Sequence, residues 1–325
     1  VQEREDDEIE RQGRSASNAT PEPTSGLGRA MATSLLIGNG INRVTNHDAS
    51  WEHVLNALVP GTLSGQALEH MKHKPFALVY EEILLTRMSN DKRVDEPAMK
   101  QRIAELVDGL QFNGLHRRVM DSPVRHVITT NYDYGFEKAT RLSYPRSHLI
   151  RESKYSVFRR RAVGAKFVWH IHGEVEAPNT ITLGYDQYSG YLQKLRNYAT
   201  ADRETKNGSP FKMGNMDFDT IPGTVYSWLD VFLRDDIHIV GLGLDYTEID
   251  LWWAVTYKAR KKAQGFHVGR TFYHDWYTRE VEEQVLARRS LLRALSVEVM
   301  PRDCVNGYET AYDTFITDHL EKLND

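Results

Sequence analysis

Three short segments constrain this chain most: Leu36-Ile-Gly-Asn-Gly-Ile-Asn42, Ile128-Thr-Thr-Asn-Tyr-Asp133 and Trp169-His-Ile-His-Gly173. Each is an apolar, strand-like run that ends in small or polar groups. Further apolar runs at Ser34–Ile37, Val124–Thr130, Phe167–Ile171 and Ile237–Val240 read as buried strands. Stretches with helical spacing lie between them. Strands alternating with helices predict an α/β fold, a doubly wound, Rossmann-like parallel sheet. In such sheets ligands bind beyond the carboxyl ends of the strands, where these three segments end.

The stripe Trp51, Val54, Leu55, Leu58 predicts a helix with Ser50 as its N-cap, stopped at Pro60-Gly61. Phe76, Val79, Tyr80, Ile83 and Leu84 form a second stripe, and Ile103, Leu106, Val107 and Leu110 a third, so residues about 61–121 read as a helical insertion. Further helices are expected at Thr224–Leu233, 247–263, 278–294 and Tyr308–Leu323, and strands at Thr180–Leu183, Thr271–Tyr273 and Ser296–Met300. Residues 185–222 mix aromatics with Gly, Asn, Asp and Lys and read as a mobile insertion, either a lid or a packed surface loop. Residues 1–30 have the acidic, Ser/Pro/Gly-rich composition of a disordered tail, and residues 31–325 read as one catalytic domain.

Composition narrows the function classes. The net charge of −4 makes no general case for nucleic-acid binding. No apolar run approaches the ~20 residues needed to span a bilayer, and the polar N-terminus lacks a basic-then-apolar leader, so a cytoplasmic protein is expected. The single cysteine, Cys304, precludes an internal disulfide and any Cys-x-x-Cys zinc pair, and reads as a small buried residue. Arg159-Arg160-Arg161 reads as a solvated basic edge, and Trp252 and Trp253 as core packing.

The glycine turn Gly38-Asn39-Gly40 after a strand lets the backbone turn tightly and approach a pyrophosphate. Arg43 stands where the usual dinucleotide fingerprint has its third glycine. Gly241-Leu-Gly243, followed by Asp245, repeats the logic at a later strand, so both turns could serve one dinucleotide crevice. Asn131, after Thr130, offers an amide that can orient a water or a ribose hydroxyl. Asp133 shares its face if the chain stays extended, though Asn-Tyr-Asp is also good turn chemistry. His172 precedes Gly173 and can accept a proton near neutral pH. His170 reads as structural, and His-x-His lacks further ligands at metal spacing.

In this order and strand context the segments resemble the sirtuin superfamily, and more closely the bacterial Sir2-like NAD hydrolases of antiphage defence. Gly38-Asn-Gly40 matches the Gly-Ala-Gly turn, Thr130-Asn131-Tyr-Asp133 the Thr-Gln-Asn-x-Asp segment that holds the nicotinamide ribose, and His172-Gly173 the catalytic His-Gly pair. Gly241-Leu-Gly243 with Asp245 looks like the late Gly-x-Ser turn near the adenosine. The zinc-ribbon cysteines of protein-deacylating sirtuins are absent, and Arg43-Val-Thr-Asn-His-Asp48 stands where those enzymes carry Pro-x-Phe-Arg. The resemblance implies NAD+ as substrate, no zinc ribbon, and hydrolysis to nicotinamide and ADP-ribose. It implies Asn131, His172 and Asp133 as the catalytic set, with Gly38, Asn39, Gly40, Asn42, Thr130, Gly241, Gly243 and Asp245 holding the dinucleotide. It further implies gating by a homo-oligomer or by a partner such as a HerA-like ATPase or a short Argonaute. A deacylase or ADP-ribosyl transferase, and a non-catalytic module that binds NAD or ADP-ribose, are the alternatives.

Overall fold

Alternation of apolar side chains along the central strands decides the architecture. In β1 (Thr33–Ile37), Leu36 faces one core while Leu35 and Ile37 face another, and all three are buried. The same division holds for Ile128 against Val127 in β2 (His126–Thr129), Trp169 against Val168 in β4 (Lys166–His170) and Ile239 against Val240 in β5 (Asp236–Val240). A sheet that is apolar on both faces must be covered on both, as parallel sheets are. The computed structural model describes residues 31–47, 49–59, 73–91, 95–147, 154–200, 227–278 and 283–324.

The seven-stranded sheet runs β3-β4-β2-β1-β5-β6-β7, with β6 at Thr271–Tyr277 and β7 at Glu298–Asp303. All neighbours pair in parallel except β3 (Arg160–Val163), which pairs antiparallel with β4 at the edge. From β1 the chain builds β2, β3 and β4 on one side, then crosses to β5, β6 and β7 on the other. The doubly wound, Rossmann-like expectation holds, and the reversal of direction lies between β1 and β5.

The short helix α1 (Gly40–Arg43) follows β1. The predicted α2 (Trp51–Leu58) forms with Ser50 as N-cap, its side chain accepting from the His53 amide. α3 (Phe76–Asn90), α4 (Glu96–Asp108) and α5 (Gly114–Asp121) supply the rest of the described helical module. Val54, Leu58, Tyr80, Ile83, Ile103 and Val107 of this module pack on Tyr132, Ile181 and Leu183 from the strand-end loops. The module is therefore built onto the carboxyl end of the sheet. α6 (Gly135–Lys138), α7 (Tyr185–Thr200), α8 (Trp228–Arg234), α9 (Ile249–Ala263), α10 (Glu283–Ala294) and α11 (Tyr308–Phe315) complete the described helices.

Several expectations need correction. Thr180–Leu183 forms no strand; a 3-10 turn at Pro178–Thr180 takes its start. The first part of the supposed loop at 185–222 is α7, which buries Tyr188, Tyr191, Leu195 and Tyr198. Gly190 sits inside it because a Cβ there would lie 2.5 Å from the Tyr155 ring. The arginine run is not a solvated edge: Arg159 and Arg161 are buried, and Arg161 pairs with the fully buried Glu174 at 3.0 Å. Trp252 and Trp253 are half-buried at the rim of one core, and Trp252 stacks on the exposed Tyr246. The last helix gives way after Phe315 to a π turn, Ile316–Leu320, and a 3-10 turn. Cys304 is buried, as expected. The expected tail at 1–30, the stop at Pro60-Gly61 and residues 201–222 lie outside the described residues.

His238 of β5 and His274 of β6 are hydrogen-bonded at 2.9 Å, under Phe315 and His319. Burial pushes His238 down to about 4 and His274 down to about 2, with neighbouring histidines adding to the effect. An unfolded histidine titrates near about 6.5. The unfolded chain therefore takes up these protons first, and the stabilisation, complete above that value, is lost as pH falls toward the folded values. The decline in Tm between about pH 7 and 5 is expected to be shallower in His274→Phe than in the wild type. Equal slopes in thermal melts would show that His274 is not held neutral.

Candidate active site

The crevice between β1 and β5 is where the sheet reverses direction, the usual ligand position in this architecture. Two glycine turns meet there. Gly38 donates its N–H to Val240 O at 3.0 Å, and Gly40 donates to Gly241 O at 2.9 Å. A Cβ on Gly38 would stand 2.6 Å from Gly241 O, and one on Gly40 would stand 2.8 Å from Tyr312 Oη. Gly241 has φ +60°, and a Cβ there would meet Tyr312 Oη at 1.9 Å. These three glycines are thus required by the approach of one turn to the other and to α11. Gly243 differs: it is exposed, and a Cβ there would meet nothing within 4 Å. Gly241→Ala is expected to destabilise the fold by about 2 kcal/mol or more, whereas Gly243→Ala stays within about 0.5 kcal/mol of wild type. Urea unfolding of the two variants measures the contrast, and equal costs would refute it.

Asn131 lies just beyond β2, almost fully buried. Its amide N–H donates to Thr129 Oγ1 at 3.1 Å, and its Nδ2 reaches Gly38 O at 3.4 Å. Its carbonyl faces His170 Nδ1 at 3.0 Å, and His170 Nε2 faces Glu137 Oε1 at 2.7 Å. Burial alone would lower the His170 pKa, but the Glu137 carboxylate outweighs it and raises the ring above its ordinary value. Both partners are acceptors, so a ring that makes both contacts donates from both nitrogens, and His170 clamps the Asn131 backbone. Of the Asn131 amide, Oδ1 is left buried without a hydrogen-bond partner among the described residues. An orphaned buried acceptor is costly and calls for an explanation.

Asn42 and Asp133 have different surroundings. Asn42 Nδ2 donates to Asp133 Oδ2 at 2.7 Å and to Asn39 Oδ1 at 3.1 Å, while its Oδ1 faces His116 Nε2 at 3.0 Å. Burial pushes His116 down to about 4, so the neutral ring donates from Nε2 and accepts the Asn113 amide at Nδ1. Asp133 Oδ1 accepts from the Gly135 amide at 2.8 Å. Burial raises the Asp133 pKa, against the pull of these donors. Both side chains are thereby engaged in joining the β1 turn, the start of α5 and the end of β2. Asn39 also donates to Ala49 O, and Thr130 is buried beside Asn131. Asp245 is exposed and caps its own turn through Thr247.

Asn39, Asn46, Trp51, Asn131, Tyr132 and Asp133 help to line a cleft of about 490 Å³ between the helical module and the sheet. Trp51 and Tyr132 meet at 5.1 Å in its wall, and Tyr132 is anchored by its hydroxyl to Thr182 O at 2.6 Å. Asn131 and His172 stand two residues beyond Thr129 and His170, which pair across β2 and β4. His172 is 2% exposed, with Nε2 2.8 Å from Asp250 Oδ2, and the rings of Tyr188 and Tyr191 lie edge-on to it. Burial alone would lower the His172 pKa; the Asp250 carboxylate overrides it and raises the ring. Burial pushes the nearby Glu248 up to about 7, against the influence of His172.

The sequence reading missed Glu137, His116, Glu248 and Asp250. The last two had a signal: Asp245-Tyr-Thr-Glu-Ile-Asp250 sets three acids at a helix start. Acids there are usually explained by the helix dipole, which hides any further role. Among the described residues no group of three or more His, Cys, Asp or Glu side chains is arranged to hold a metal ion, and no helix is long and apolar enough to cross a membrane.

Residues 125–211 match the model of the SIR2-like domain. The match supports a place in the Sir2-like superfamily and NAD-related chemistry in general. It runs from the start of β2 past α7, so Asn131, Asp133, His170 and His172 all fall inside it. No curated protein matches the chain.

The Glu137–His170 pair is wholly buried. Glu137→Ala leaves an uncompensated ring beneath Asn131 and is expected to cost about 3–5 kcal/mol. Chemical denaturation checks this, and a loss below about 1 kcal/mol, the range of exposed pairs, would show that the clamp carries no weight.

Proposed function

We propose that the protein hydrolyses NAD+ at its N-glycosidic bond and releases nicotinamide, ADP-ribose and a proton. The observation that carries this reading is Asn131: a buried amide whose Oδ1 has no partner among the described residues, at the edge of a large cleft, inside the segment that matches the SIR2-like domain. The bond that breaks joins the ribose carbon to a cationic pyridinium, and its departure develops oxocarbenium character at that carbon. Water supplies the new carbon–oxygen bond, and its proton must be removed. Asn131 orients a ribose hydroxyl or the water through the free Oδ1. His172 accepts the proton. Asp133 acts mainly through Asn42, and its charge favours the developing cation. The open space at Gly243 suits close approach by the adenosine side of the dinucleotide.

Near-complete burial of His172 supports a gated enzyme, since free turnover of NAD+ would be toxic. On this reading the protein is a cytoplasmic effector of antiphage defence, released by homo-oligomer formation or by a partner such as a HerA-like ATPase or a short Argonaute. Incubation of the purified chain with NAD+ and chromatography of the products is the test. Nicotinamide and ADP-ribose are expected, with turnover reduced about 10²- to 10⁴-fold in Asn131→Ala and His172→Ala. Transfer of ADP-ribose to a peptide, or the absence of both turnover and NAD+ binding, would sink the hydrolase reading.

A further inference from the structure

We propose that Asp250 is the positioning residue of His172: it fixes the neutral ring as the Nε2–H tautomer and leaves the Nδ1 lone pair to accept the proton. The source of that proton rests on the hydrolase reading above, whereas the tautomer does not.

The geometry is specific. Asp250 lies in the first turn of α9, 78 residues from His172 in sequence, and its side chain is fully buried. A helix start favours a negative charge there. An ionised carboxylate can only accept hydrogen bonds, so the 2.8 Å contact requires the hydrogen on Nε2. Asp250 Oδ1 has no partner among the described residues, so its hydrogen bonding is concentrated on the imidazole. Among the described residues no hydrogen bond reaches Nδ1. The edge-on rings of Tyr188 and Tyr191, at interplanar angles of 88° and 87°, restrict rotation of the imidazole. A flip would also exchange the bonded nitrogen for a carbon facing Asp250. One carboxylate thus sets tautomer, orientation and proton affinity together, as in hydrolytic triads where an acid orients a histidine.

The charged and titratable groups around the ring come from several elements. Glu248 and Asp250 lie on or beside α9, Arg159 precedes β3, and Tyr188 and Tyr191 belong to α7. Glu248 favours the charged ring, and Arg159 opposes it. Because Glu248 titrates near neutrality beside His172, the two lose protons as a coupled set rather than separately.

Nitrogen-detected NMR of the full chain with labelled histidine tests the proposal, with His172→Gln assigning the resonance. The expected wild-type spectrum at alkaline pH shows His172 as the Nε2–H tautomer, titrating above the buried His116, His238 and His274. In Asp250→Asn the titration moves to lower pH and the Nε2–H preference is lost. NAD+ hydrolysis falls about 10²- to 10⁴-fold in kcat with little change in KM. The acid limb of its pH profile shifts in the same direction as the ring, and Asp250→Glu restores part of the activity. A wild-type ring in the Nδ1–H form overturns the proposal. So does a folded Asp250→Asn variant whose His172 titrates unchanged. If Asp250→Asn does not fold, the wild-type tautomer and titration decide alone. If the wild type shows the expected tautomer yet leaves NAD+ intact, the hydrolase reading fails while Asp250 keeps its role.

Discussion

Everything at the candidate site depends on the contact between two backbones at the centre of the sheet. Gly38 and Gly40 bond to Val240 and Gly241, so the turns after β1 and β5 close on each other. That closure sets the position of Gly38 O, to which Asn131 Nδ2 is directed. Side chains at these glycines would push the turns apart and move Asn131 with them. The glycines are first a packing device, and their service to a dinucleotide is a second consequence of the same close approach.

Around this contact the polar residues divide by work. Asn42, Asp133 and His116 form one linked set and His170 and Glu137 another, and their bonds to each other and to nearby backbone hold the loops beyond β1 and β2. Among the described residues Asn131 Oδ1 has no hydrogen-bond partner, and the hydrogen bond of His172 to Asp250 is made through Nε2. This division is how a rigid scaffold presents a few reactive groups: the supporting shell locks the geometry and leaves the reacting atoms free.

The central strands and most helices were legible in the sequence because burial imposes a period there. Leu35, Leu36 and Ile37 fill both faces of the sheet, and Ser50 caps its helix by the ordinary rule. Elements escaped where charge or size contradicted the pattern. β3 reads Arg-Arg-Ala-Val, and partners elsewhere in the chain, the buried Glu174 with Glu176 and Tyr134, make Arg161 acceptable inside. α7 carries four tyrosines and a glycine, a loop-like composition whose sense depends on Tyr155 and the core. Within the site, Asn131 and His172 could be proposed from motif and strand context. The filling of Asn42 and Asp133 by neighbours, and the pairing of His172 with Asp250, depend on folds of the chain that no local pattern records.

Tyr312 gives the glycine turns a partner far away in sequence. Its hydroxyl occupies the space that side chains at Gly40 and Gly241 would need, although α11 contributes none of the residues that line the cleft. Positions 40, 241 and 312 therefore form one steric unit: two vacancies and the ring that fills them. In related chains these positions should vary together, with a larger residue at 241 tolerated only beside a smaller one at 312. The first glycine motif and the last α-helix of the described fold are sterically matched, and a graft of either onto another background would need to carry the other.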